Sequence, residues 1–259
     1  MDRQSRAHIT QFYRRSLERH GPTARGQRWA SDESQRERFR LLAGLLPAPA
    51  TPADQATAGR PTVGQATAGQ ATDGERSAIH SRGASGGPRG AGAGPPCSIS
   101  DVGCGVGDLL AFLRTSGWRT ARYDGFDIVP EMIDAARRKQ RGRGGRFQVR
   151  DVLTEGFPRR YDYVVASGIF NLRVVRHDRF LRRMVEAMYG ACLRGVAFNV
   201  LQPVWREADK AYEQYFETTY FSATPAELLV LGASVGAWVE LAFSDLLPGD
   251  TTVLLRRPA

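Results

Sequence analysis

The chain has 259 residues, 36 lysines and arginines against 27 aspartates and glutamates, and a formal charge of +9. Its length holds one large domain or two small ones. No run of 18 apolar residues offers a membrane-spanning helix, and the polar start Met1–Arg6 leads into a helical pattern, not a secretory signal. Cys97, Cys104 and Cys192 are odd in number and lack metal-ligand spacing. They read as reduced thiols of a cytoplasmic protein without a structural metal, not as a disulfide framework. Only Lys139 and Lys210 of the basic residues are lysines. With so much Ala, Gly and Pro, this arginine bias suits a GC-rich coding sequence as well as any function. It permits a nucleic-acid partner but supplies no motif for one.

In chain order, Ile9, Phe12, Tyr13 and Leu17 keep helical spacing until Gly21-Pro22 stops it. A second helix is predicted from Ser31, a capping residue with Ser34 three positions on, through an apolar face of Phe39, Leu42, Leu45 and Leu46. Pro47 to Pro96 is low in complexity, with an imperfect repeat over Gly64–Gly69 and Gly69–Gly74. Such a tract buries too little apolar surface to offset its ordering entropy and is expected to be a disordered insertion. The expected division is therefore a helical segment 1–46, an insertion 47–96 and a folded domain 97–259.

From Cys97 onward strands and helices alternate. Strands are predicted at 98–102, 123–128, 146–149, 161–166 and 195–201, and helices at 108–116, 130–140, 178–189, 205–216 and 225–231. Two closing strands follow at 238–244 and 251–256, joined by a short turn. The alternation implies a mostly parallel sheet with right-handed crossovers and helices on both faces. The closing pair must be antiparallel. An α/β Rossmann-like fold of seven strands with an antiparallel last strand is expected.

The chemistry concentrates at Asp101-Val-Gly103-Cys104-Gly105-Val-Gly107-Asp108, which leaves a strand and enters a helix. Glycines let the backbone turn sharply and a ligand approach closely, and the helix start offers unpaired N–H groups. Asp127 closes the next strand, 22 residues after Gly105, where an acid accepts ribose hydroxyls. The spacing Gly103-x-Gly105-x-Gly107 is not that of a dinucleotide fingerprint. A carboxylate at Asp101 repels pyrophosphate and favours an ammonium or sulfonium.

Residues 98–108, 125–133, 148–152 and 161–171 together resemble the successive motifs of class I S-adenosylmethionine-dependent methyltransferases. Phe12-Tyr13, Trp29, Ser34-Gln35 and Arg38-Phe39 look like a bacterial small-molecule subgroup. The resemblance implies that Asp101, Gly103, Cys104 and Gly105 hold the methionine portion of S-adenosylmethionine. It further implies that Asp127 takes the ribose, that Ile128 lies against the adenine, and that Asp151 and the Val152 N–H meet its ring. An alternative for Asp151 is simply to cap the segment after it.

Ser167 to Asn171 follow the fourth strand, beside the expected position of the methyl group. The Asn-Pro-Pro-Tyr type motif of many DNA and protein amino-group methyltransferases is absent, which favours a small-molecule acceptor over nucleic acid. Asn171 and His177 are the catalytic candidates, His177 as a base for a hydroxyl acceptor. The bland alternatives are a loop-stabilising Asn171 and a surface His177. Tyr212, Tyr215, Phe216, Tyr220 and Phe221 form an aromatic cluster able to wall an acceptor pocket. The N-terminal helices are expected to cover the sheet's carboxyl edge, with Arg38 pairing with the cofactor carboxylate or an anionic acceptor. An RNA methyltransferase, or a non-catalytic module that binds the cofactor, are the other readings.

Overall fold

A computed structural model describes residues 3–49, 95–203 and 218–258. Most of the low-complexity tract and the helix predicted over 205–216 lie outside the described residues, as do Tyr212, Tyr215 and Phe216.

Two helices open the described chain: α1 (Arg3–His20) and, after a single 3-10 turn at Arg25–Gln27, α2 (Asp32–Ala43). Ser31 caps α2 in a capping box with Ser34, each side chain bonded to the other's backbone N–H. A cap of this kind contributes on the order of 1 kcal/mol. The alternating unit follows as β1 (Cys97–Val102), α3 (Asp108–Thr115), β2 (Thr120–Asp127), α4 (Pro130–Lys139), β3 (Gly145–Val149), the single turn α5 (Val152–Glu155) and β4 (Tyr161–Ala166). Then come α6 (His177–Ala191), β5 (Cys192–Leu201), α7 (Pro225–Ser234), β6 (Trp238–Ala242) and β7 (Asp250–Arg256).

The seven strands order as β3-β2-β1-β4-β5-β7-β6. The first five pair in parallel. β7 runs antiparallel between β5 and β6, from Leu201↔Asp250 to Gly195↔Arg256. The fold expected from the alternation is the fold observed, and the closing antiparallel pair is where the short turn put it.

Strand alternation divides the core in two. Phe126, Val164, Ala166, Phe198 and Val253 pack under α6 and α7 on one face. Ile99, Tyr123, Tyr163, Ala197 and Leu254 meet α2, α3 and α4 on the other. α1 lies over α4: Tyr13 and Leu17 pack on a cluster of Val106, Val129, Met132 and Ala135, and Arg14 reaches Glu131 at 2.7 Å. The N-terminal helices are thus packed on the same body as the sheet. All parallel strands deliver their following loops to one edge, the carboxyl edge, where open α/β sheets bind ligands.

Candidate active site

A cavity of about 160 Å³ opens at that edge. That is roughly ten times the space one buried water requires, so the hole is more than a packing defect.

Its floor is built by the loops after β1 to β4. The N–H groups of Gly103 and Cys104 donate to the Phe126 carbonyl at 2.7 and 3.0 Å, which ties the glycine loop to β2. The Gly105 N–H donates to Asp127 Oδ2 at 3.0 Å, and the Val129 N–H to Oδ1 at 2.9 Å. A carboxylate offers about four lone-pair directions, and the Ile128 N–H also acts on this one, so only part of its acceptor capacity remains for a ligand. Burial pushes the Asp127 carboxyl up to about 6, against the backbone donors of Val129, Gly105 and Ile128, which pull it down. Asp151 caps α5, accepting from the Leu153 N–H at 3.1 Å and the Thr154 hydroxyl at 3.0 Å. It lines the cavity as well, so capping leaves it at the site. Ser167 and Asn171 lie on the far side, and the Ser167 hydroxyl and Asn171 Oδ1 are buried without a hydrogen-bond partner among the described residues.

The roof comes from the N-terminal segment: Ile9, Phe12 and Tyr13 of α1, then Gln27, Arg28 and Trp29. Gln27 joins roof to floor. Its Nε2 donates to Asp108 Oδ2 at 2.8 Å, and its Oε1 accepts from the Val106 N–H at 3.2 Å. Gly105, at φ +52°, has to be glycine here, because a β-carbon would run into the Gln27 side chain. Trp29 seats on Gly168, also in the left-handed region at φ +78°, where a β-carbon would come within 2.6 Å of the indole.

Behind that contact runs a buried polar chain. The Gly168 N–H donates to Asn199 Oδ1 at 2.8 Å, Asn199 Nδ2 donates to the Asp250 carboxylate at 3.2 Å, and Arg38 Nε donates to Asp250 Oδ2 at 2.7 Å. The Arg38 and Asp250 side chains are only 12% and 3% exposed. The Arg38 guanidinium lies 4.8 Å from the Trp29 ring centre. One carboxylate on β7 therefore holds α2, the roof tryptophan and the loop after β4.

Gly103, Gly105, Asp127, Ile128, Asp151, Val152, Ser167 and Asn171 all line the cavity. Four other candidates do not. Asp101 is 2% exposed and accepts from the Tyr123 hydroxyl. In the β1–β2 register Ile99 faces Tyr123 and Asp101 faces Gly125, so the Asp101 and Tyr123 side chains share the sheet face under α3. Burial raises its carboxyl to about 7. The Cys104 thiol is buried in the gap that Gly125 leaves by having no side chain. Arg38 is engaged by Asp250, as described, and does not reach the cavity.

His177 is the fourth. It is 3% exposed, accepts from the Val174 N–H through Nδ1 at 3.2 Å, and stacks 3.9 Å from the Phe221 ring. Burial, then Arg173, push it down to about 3, so it is a neutral core residue and not a base. The aromatic cluster splits accordingly: Tyr220 lines the cavity and Phe221 packs beneath it on His177.

Gln27, Arg28 and Arg150 line the cavity without having been singled out by motif or spacing. Gln27 bridges 81 residues to Asp108, and no local pattern encodes such a contact.

Residues 99–189 match the family model described as a methyltransferase domain. The Mycobacterium tuberculosis protein Rv1506c, whose name places it among methyltransferases, is 39% identical over 113 residues. That match spans 42% of this chain and 66% of the relative's length, just short of two thirds. An O-methyltransferase family protein from Burkholderia thailandensis superposes with a TM-score of 0.50 at 14% identity, over 63% of this chain and 52% of that one. The S-adenosylmethionine-dependent methyltransferase SibL in its apo form gives 0.50 at 18% identity, over 62% and 50%. Identities this low speak for the fold alone. Among the described residues no helix is long and apolar enough to cross a membrane. The family match and the strand order together make residues 99–189 a methyltransferase domain on a Rossmann-like sheet.

Proposed function

We propose that the chain transfers the methyl group of S-adenosylmethionine to an oxygen or nitrogen of a small-molecule acceptor, within the cavity between the glycine-loop floor and the N-terminal roof. The carrying observation is the Asp127 carboxylate, which faces the cavity with acceptor capacity left over from its backbone donors. Its spare acceptor directions suit a vicinal diol. The unpartnered Ser167 and Asn171 oxygens on the opposite side suit polar groups of the methionine portion or the acceptor.

In this reading Asp127 binds the ribose, Ile128 and Val152 bracket the adenine, and Asp151 accepts from its amino group. Gly103 and Gly105 leave room for the methionine chain. Asp101 acts from below the loop, holding β1 to β2 through the Tyr123 hydroxyl, and not by contact. When bound, S-adenosylmethionine would supply an electrophilic methyl to an acceptor lone pair, leaving as S-adenosylhomocysteine with the acceptor's proton lost to bulk solvent. The protein's part is to align the two reactants and exclude water, for which an in-line displacement asks most. Trp29, Tyr13 and Tyr220 wall the acceptor side. Burial pushes the Tyr13 hydroxyl up to about 12, with the Asp127 charge adding, so it is a neutral donor and not a base. The segment 1–46 serves as a roof over the catalytic domain, with the 47–96 tract as its tether, and the acceptor is a cytoplasmic metabolite.

The test is calorimetric titration with S-adenosylmethionine, followed by assay of S-adenosylhomocysteine release against a panel of hydroxyl and amine metabolites. Binding without turnover on any acceptor favours a cofactor-sensing module. No binding removes the reading.

A further inference from the structure

Outside the roof, α1 and the 3-10 turn enclose a groove lined by His8, Phe12, Arg15, Arg19, His20 and Arg28, with Glu18 the single carboxylate along it. Phe12 and Arg28 line this groove and the cavity alike, so the two spaces meet at that pair of side chains. The groove is the more basic of the two spaces. Asp127 and Asp151 face the cavity together with Arg28 and Arg150, while Arg15, Arg19 and Arg28 face the groove and form no ion pair among the described residues. Their crowding shows in His20, which is held below its ordinary value by desolvation and then by Arg25, Arg19 and Arg28.

Arg28 is further marked by its backbone. It lies in the left-handed region at φ 68°, one of two non-glycine residues to do so among those described. A long side chain there is uncommon and carries a modest cost, which clusters at ligand sites. The guanidinium is fixed 4.9 Å from the centre of the Phe12 ring. A guanidinium held over an aromatic ring in this way still carries five N–H donors, the group that takes an oxyanion in two bonds.

The geometry points to an acceptor with an oxyanion tail: its nucleophilic end enters the cavity between Phe12 and Trp29, and its phosphate or carboxylate lies outside against Arg28, Arg19 and Arg15. Charge then draws the anionic tail to the basic groove and away from the Asp127 and Asp151 carboxylates. This rests on the methyltransferase reading above and adds to it the class of acceptor.

The test uses the full chain saturated with S-adenosylhomocysteine and titrated with pyrophosphate at low salt. Arg28→Asn tolerates the left-handed backbone, and Arg15→Gln with Arg19→Gln removes the outer pair. The wild type should bind pyrophosphate, and each variant should bind it at least tenfold more weakly, while the Arg15/Arg19 variant keeps its S-adenosylhomocysteine affinity within twofold. Arg141→Gln with Arg143→Gln, on the loop after α4, should leave pyrophosphate affinity unchanged. The proposal is overturned by a wild type that ignores pyrophosphate or by groove variants that bind it equally well. It is overturned too by an equal loss in the Arg141/Arg143 variant, which means unspecific attraction to an arginine-rich surface. A matching loss of S-adenosylhomocysteine affinity in Arg28→Asn instead assigns Arg28 to the cofactor carboxylate. Failure of S-adenosylhomocysteine to bind the wild type at the outset removes the cofactor reading itself, a result distinct from all of these.

Discussion

The floor and the roof of the cavity are held by different physics. The floor is made of short-range backbone bonds: a glycine loop pinned to the Phe126 carbonyl and to Asp127, a cap at Asp151, all within neighbouring strands. The roof is held by a few side chains that cross the whole sequence: Gln27 to Asp108, Arg38 to Asp250, Trp29 to Gly168. Most of the floor's loops are fixed by the sheet before any ligand arrives, whereas the roof depends on individual side chains and is correspondingly easy to detach.

Breaking the roof's buried ion pair should have the largest effect. Arg38→Ala strands the Asp250 carboxylate in the core with only the Asn199 amide for company. A loss of about 3–5 kcal/mol of stability is expected for such a pair. Chemical denaturation measures it, and a loss under 1 kcal/mol would show that the pair is not a structural tie. On the floor, Asp127→Ala should weaken S-adenosylmethionine binding by about 2–4 kcal/mol, from two lost hydrogen bonds to a charged group. Unchanged affinity in calorimetry would take Asp127 out of the site.

Legibility in the sequence followed the same divide. The floor was readable because its spacing is local: Gly103, Gly105 and Asp127 belong to one β-α-β unit, and Asp151 and Ser167 close the next strands. Two residues expected at the ligand, Asp101 and Cys104, do not line the cavity, and for Asp101 the reason is sheet register. Which face a strand residue takes depends on its neighbours, and the Tyr123 hydroxyl claims this carboxylate. In the roof, the helices and the Ser31 cap were visible, yet Arg38 was assigned to the wrong partner. Asp250 stands 212 residues away, and nothing in α2 announces it. His177 was read as a possible base because it follows the Asn171 loop. The fold spends it instead on the Val174 N–H and the Phe221 ring.

A pH experiment sharpens the contrast from the floor side. Burial raises Asp127 to about 6 in the folded chain, and the ionised carboxylate is the better acceptor for a diol. Cofactor affinity should therefore rise between pH 5 and pH 7.5, and the rise should vanish in Asp127→Asn. The stability contribution has the opposite sign. A raised carboxyl favours the fold at low pH and loses that advantage as pH climbs from the ordinary aspartate range through about 6. A flat affinity profile in the wild type would contradict the assignment. The smallest expected effect belongs to Gln27→Ala, which removes one side-chain bridge worth about 1 kcal/mol. It should weaken S-adenosylmethionine binding a few-fold with little change in stability, and an equal loss of both would make Gln27 a general packing residue.

The most direct measurement is hydrogen exchange of the full chain with and without S-adenosylhomocysteine. Slowed exchange is expected in both walls together, at residues 103–107 and 127–129 of the floor and at residues 27–29 of the roof. Protection confined to the floor, or absent from both, would contradict a cofactor site closed by the N-terminal segment.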